Sequence, residues 1–100
     1  MSFQMKITGE ELFVKIKDGF MLREVAGTWI VVPLAQRVVE FNGLMTLSES
    51  GAMLWKKLQQ GTDMEEMVQS ILTEYDVDEK VARADIKELV DSIAERGLIE

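Results

Sequence analysis

The sequence predicts an α+β domain, a three-stranded antiparallel sheet followed by three helices. Three observations carry that expectation. The stretch "DGFMLREVAGTWIVVP", Asp18 to Pro33, is β-rich around a turn-compatible Ala26-Gly27. From Ser48 onward, apolar residues recur at the 3.6-residue spacing of helices, with cap signals between the segments. At "EFNGLMTLSESGAMLW", Glu40 to Trp55, the period switches abruptly, with only "SES" between a short strand and a helix.

The chain has 100 residues, enough for one domain and one modest core. The first ten or so residues have weak patterning, which predicts a loosely docked arm over roughly 1–12. A hairpin follows, with strands near 20–25 and 28–33. Pro33 is the only proline; lacking an amide hydrogen, it closes the second strand. Residues 34–43 are open to two readings, because "RVVEF" suits a strand and "LAQRVVEF" a helical turn. Asn42-Gly43 is a turn signal, and 44–47 resumes as a short strand.

The first helix is expected from about Ser48 to Gln60, with Gly61 just past its end. Thr62-Asp63-Met64-Glu65 reads as a capping box opening the second, the Thr62 hydroxyl serving the N3 amide and Glu65 reaching back. That helix carries Met64, Met67, Val68, Ile71, Leu72 and Tyr75 on one stripe. The third is capped by Asp78, aligns Ala82, Ile86, Leu89, Val90 and Ile93, and stops at Gly97-Leu98. Trp55 falls on the core stripe of the first helix and Trp29 on a sheet face.

Composition excludes much chemistry. There are no cysteines and no histidines, so disulfides, thiolate chemistry and the commonest general base and metal ligand are lost. Glycines are scattered singly, with no phosphate loop. "DVDE" lacks the glycine and distal glutamate of a calcium loop. The carboxylates fall on polar helix faces or at helix starts, where they favour the helix dipole. No catalytic residue, metal ligand or cofactor is expected, and the chain is read as not an enzyme by itself.

The net charge is −7, with five basic and six acidic residues in the first half against six and twelve in the second. That balance works against phosphate-backbone binding, so no nucleic-acid partner is expected. No apolar run reaches the roughly 20 residues of a membrane span, and the N-terminus lacks a secretory pattern. A cytoplasmic location without membrane contact follows as the expectation.

The quoted stretches, with "TDMEEMVQSILTEYDVDEKVARADIKELVDSIAERGLI", resemble the family of pyrroloquinoline quinone biosynthesis protein D (PqqD) over roughly residues 17–99. The telling elements are the short strand leading into an aliphatic/Trp helix, the "G-T-x-x-E" at Gly61 to Glu65, and "D-V-D" leading into "A-x-x-D-I" at Asp76 to Ile86. Ser48 departs from the pattern, since many relatives have Asn there; Ser caps a helix about as well.

The resemblance implies a winged-helix-like fold and a peptide chaperone for ribosomally made, modified peptides. Such a protein holds the leader segment of a precursor and presents it to a modifying enzyme, often of the radical SAM class. The leader adds as a strand beside the third strand, in the groove next to the third helix. Mapped onto this chain, Leu44, Met45, Thr46 and Leu47 would supply main-chain pairing, and Arg83, Asp85, Ile86 and Leu89 the groove wall. A one-residue shift of register decides whether Leu44 or Met45 faces the groove. Two ion pairs, Arg83 with Glu79 and Lys87 with Asp91, compete with a binding role for these side chains. A winged-helix DNA-binding regulator is the alternative reading, opposed by four basic and six acidic residues between Asp78 and Arg96. A homodimer made by self-pairing of the open edge is compatible with the main reading.

Overall fold

The computed structural model describes residues 13–34 and 45–100. Strands β1 (Phe20–Val25), β2 (Thr28–Pro33) and β3 (Met45–Leu47) form one antiparallel sheet in the order β1-β2-β3. Helices α1 (Glu49–Gln60), α2 (Met64–Glu74) and α3 (Glu79–Glu95) follow. This is the expected α+β architecture. The loose arm expected over 1–12, the undecided stretch 35–43 and Leu44 lie outside the described residues.

The hairpin turns at Ala26-Gly27, whose φ values are 52° and 80°. Positive φ at both central residues is the pattern of a type I′ turn, whose twist matches that of the paired strands. Alternation then sorts the sheet's faces. Val31 and Met45 are cross-strand partners and both are buried, whereas Ile30 faces Thr46, which is exposed.

The core lies between the inner face of the sheet and the helices. Trp55, Leu58, Met67, Val68, Ile86, Val90 and Ile93 are all completely buried. Trp55 meets the ring of Phe20 edge-on, with centroids 6.4 Å apart at 86°. Its indole N–H has no acceptor among the described residues. Trp29 is half-buried on the sheet, 4.9 Å from the Lys56 ammonium.

Two core residues escaped the reading of periodicity. Val14 and Ile16 are buried and tie the segment before β1 across the molecule, Val14 bridging to Thr62 and Ile16 to Ile99. Their signal was the short alternation Phe13-Val14-Lys15-Ile16-Lys17, which puts both apolar residues on one side with Phe13 and the lysines on the other.

The helix ends confirm most cap expectations and correct two. Ser48 is the N-cap of α1, its hydroxyl accepting from the Gly51 amide at 3.1 Å. The cap of α2 is Asp63, not Thr62: the Asp63 carboxylate accepts from the Glu66 amide at 2.8 Å. Thr62 is unavailable because its backbone N–H and C=O are both paired with Val14. Its buried hydroxyl instead meets the Glu66 carboxylate, so Glu66 takes the place expected for Glu65. Asp78 stands at the N-cap of α3 but makes no side-chain cap bond; its negative charge at the helix start remains favourable.

The end of α3 is a Schellman motif. The Gly97 amide bonds the Ala94 carbonyl at 2.9 Å and the Leu98 amide the Ile93 carbonyl at 3.2 Å. Gly97 has φ of 76°, a conformation that suits glycine, and Leu98 is buried as that motif favours.

Candidate functional site

β3 pairs with β2 on one side through Val31↔Met45, Ile30↔Thr46 and Trp29↔Leu47. Among the described residues no strand pairs with its other side. Successive residues of a strand point their amides and carbonyls to opposite sides, so three residues offer an incoming chain about two to four main-chain hydrogen bonds. The strand's shortness limits that open edge, and the Ser48 cap turns the chain straight into α1.

Beside this edge runs an open groove of about 470 Å³, floored and walled by β3, the start of α1, the end of α2 and α3. Its apolar surface comes from Met45, Leu47, Leu54, Ile71, Ile86 and Leu89. Gly51 lies where α1 passes closest to β3; a Cβ there would sit 3.3 Å from the Ser48 hydroxyl and 3.4 Å from Leu47. Tyr75 closes one end, next to Val77, which is 41% exposed. Partial burial raises the pKa of the Tyr75 phenol above its ordinary value, and the Glu49 and Glu74 carboxylates add to the rise.

The structure brings together most of the residues picked out in the sequence. Met45, Thr46, Leu47, Asp85, Ile86 and Leu89 all line the groove. The register at β3 is resolved for its described part: Met45 and Leu47 face inward, and Thr46 is exposed. Ile86 is fully buried and Leu89 half-buried, so Ile86 is as much core as wall.

Arg83 is placed elsewhere. Its guanidinium bonds Glu65 of α2 at 2.6 Å and Glu79, one turn earlier on α3, at 2.9 Å. It does not line the groove. It is three positions before Ile86, yet it stands some 100° around the helix from Ala82, on the side that meets α2. Lys87 likewise pairs with Asp91 at 2.8 Å, away from the apolar stripe.

The sequence reading missed Glu88, Ser92, Tyr75 and Val77 as lining residues. A signal existed for two of them. Asp85, Glu88, Leu89 and Ser92 recur at i, i+3, i+4 and i+7, so the strip beside the core stripe was legible once Asp85 was chosen. Tyr75 was placed on the α2 stripe but not linked to the groove, and Val77 lies in the α2–α3 joint, which periodicity does not direct. Among the described residues no group of three or more carboxylates is disposed to hold a metal ion. No described helix is long and apolar enough to cross a membrane.

The family profile described as "Coenzyme PQQ synthesis protein D (PqqD)" matches residues 28–99, well over half of the chain. The chain belongs to the PqqD family. Its fold is also that of two solved structures. One, "TbiB1 in Complex with the TbiA(beta) Leader Peptide", is 24% identical, with a TM-score of 0.67 over 86% of this chain and 94% of that one. The other, "Lasso peptide synthetase B1 complexed with the leader peptide", is 18% identical, with a TM-score of 0.68 over 87% of this chain and 96% of that one. No curated protein matches the sequence.

Proposed function

We propose that this PqqD-family chain is a non-catalytic peptide chaperone. It takes the leader segment of a ribosomally made precursor peptide as a fourth strand on β3 and presents the remainder to a modifying enzyme, a radical SAM maturase. The observation that carries this reading is the edge of β3, unpaired among the described residues, running along an apolar groove walled by α3. Membership of the PqqD family supports it, as does the same fold in two proteins whose structures hold leader peptides.

The physics is that of strand addition. Each main-chain hydrogen bond adds about 0.5–1.5 kcal/mol net, and each well-buried apolar anchor about 1.5–3 kcal/mol. Ordering the leader costs on the order of 2–5 kcal/mol. With two to four bonds and two anchors the balance centres on about 4–5 kcal/mol and reaches micromolar Kd at the favourable end of these ranges, reversible enough for hand-over to an enzyme. Met45 and Leu47 form the floor, Thr46 is exposed on β3, and Asp85, Ile86 and Leu89 form the wall. Arg83 serves the wall from behind, by holding α3 to α2.

A nitrogen-15 labelled sample titrated with the short precursor encoded beside the gene tests this. Amide shifts should concentrate at 44–47 and 82–90 with one-to-one stoichiometry; a saturating titration that leaves those amides unmoved overturns the site. Light scattering distinguishes self-pairing, because an edge occupied by a second copy must release it when the leader binds. Co-purification of the chain with a neighbouring radical SAM enzyme, strengthened by the precursor, tests the partner.

A further inference from the structure

The charge around the groove is one-sided. Its lining contains two carboxylates, Asp85 and Glu88, and no lysine or arginine. Both side chains are exposed, and neither has an ion-pair or hydrogen-bond partner among the described residues. The nearby cations of α3 are committed elsewhere, Arg83 to Glu65 and Glu79 and Lys87 to Asp91. A third carboxylate, Glu49, stands near the Tyr75 phenol and helps raise its pKa. Thus, among the acids of α3, Glu79 and Asp91 are paired away from the groove, whereas Asp85 and Glu88 stand without a pair on the side towards it.

Resting on the peptide reading above, we propose that the segment this groove takes is selectively basic: an extended apolar-cored stretch with Lys or Arg at positions that run beside α3. Asp85 and Glu88 are three residues apart, a rise of about 4.5 Å along the helix. Alternate residues of a strand are about 6.7 Å apart, so two same-side basic residues can each reach one carboxylate. Their methylene stems lie over Leu89 and Ile86 while the charged heads reach the rim. The same arrangement repels a segment with acids at those positions, which discriminates among peptides of equal hydrophobicity. The net charge of −7 adds steering of the same sign.

The test is selection of a displayed, fully randomised 12-residue peptide library on the full-length protein, followed by fluorescence anisotropy with the best synthetic peptide. Selected peptides should be enriched severalfold in Lys and Arg over Asp and Glu. The D85N/E88Q double variant should bind the best peptide about 2- to 30-fold more weakly, the range for two exposed ion pairs. The control double variant E95Q/E100Q removes the same two charges away from the groove and should change binding less than twofold.

Equal losses in the two double variants overturn the proposal in favour of unspecific attraction to an acidic protein. Selected peptides that are apolar but charge-neutral, and that shift the amides of 45–47, overturn the basic selectivity while leaving the strand-addition reading standing. A library that yields no peptide shifting those amides overturns both.

Discussion

The two flanks of α3 are built on opposite plans. Towards α2, Arg83 is held by Glu65 and Glu79, and that flank is closed by the interhelical ion pair. Towards β3, Leu89 is half-covered, and among the described residues Asp85 and Glu88 are unpartnered and the strand edge across the open groove is unpaired. Between the flanks runs a spine of Ala82, Ile86, Val90 and Ile93 with essentially no exposure. One helix thereby anchors the domain on one side and offers a surface on the other. Which flank does which job follows from polar satisfaction: groups already paired have little left to give a partner, whereas unpaired main chain and half-covered apolar surface gain by being met.

The largest effect should come from the spine, because both flanks depend on it. Ile93→Ala deletes fully buried methyl and methylene groups without touching the groove lining, and should cost about 2–5 kcal/mol in urea denaturation. Leader binding should survive at temperatures where the variant is still folded. Loss of binding by fully folded protein would show that spine and groove are not separable.

A smaller and more selective effect is expected at Leu89. It is already half exposed, so Leu89→Ala should cost stability only about 1 kcal/mol. The leader should lose an apolar anchor worth about 1–2 kcal/mol, a five- to thirtyfold weaker Kd by calorimetry. If Leu89→Ala changes stability by more than it changes binding, the groove flank is structural and the comparison between flanks collapses.

Much of this division was legible in the sequence, and the reasons for success and failure are physical. Helical stripes report burial directly, which is why Ile86, Val90 and Ile93 were evident from spacing. The hairpin was equally plain, because turn chemistry at Ala26-Gly27 and β-rich flanks agree. Thr62 misled because its backbone is used by a residue 48 positions away: the bridge to Val14 cannot be seen in a local window, and it moves the cap to Asp63. Arg83 misled for a related reason. Proximity in sequence to Asp85 and Ile86 says little about azimuth, and only the packing of α2 reveals that Glu65 waits on Arg83's side. At the groove's far end Tyr75 follows the α2 stripe, but its role there, and that of Val77, depends on how α2 hands over to α3, which no periodicity encodes.

Arg83 itself gives the converse experiment. Arg83→Gln removes the link between α2 and α3 and should lower Tm by about 1–5 °C at low ionic strength, less in high salt, as expected for partly exposed ion pairs. Leader affinity should stay within twofold of wild type. A larger loss of affinity than that of Leu89→Ala would move the recognition surface to the flank assigned here to anchoring.

The smallest effect is spectroscopic, and it reads the groove directly. Tyr75 is the only tyrosine, so the tyrosinate absorbance near 295 nm reports one side chain. Partial burial, then the neighbouring Glu49 and Glu74 carboxylates, raise its pKa above the ordinary 10.0. A raised folded-state value means that the phenol form contributes to stability fully below pH 10.0, and that this contribution is lost as pH rises through the folded value. Glu49→Gln removes one neighbouring negative charge, so the midpoint should move down towards 10.0 while burial keeps part of the rise. Arg83→Gln, on the other flank, should leave the midpoint where it is. A leader lying in the groove covers the Tyr75 end and should shift the midpoint in wild type. If saturating leader leaves Tyr75 unchanged while the amides of 45–47 move, the peptide occupies the β3 end of the groove alone, and the recognition surface ends before the α2–α3 joint.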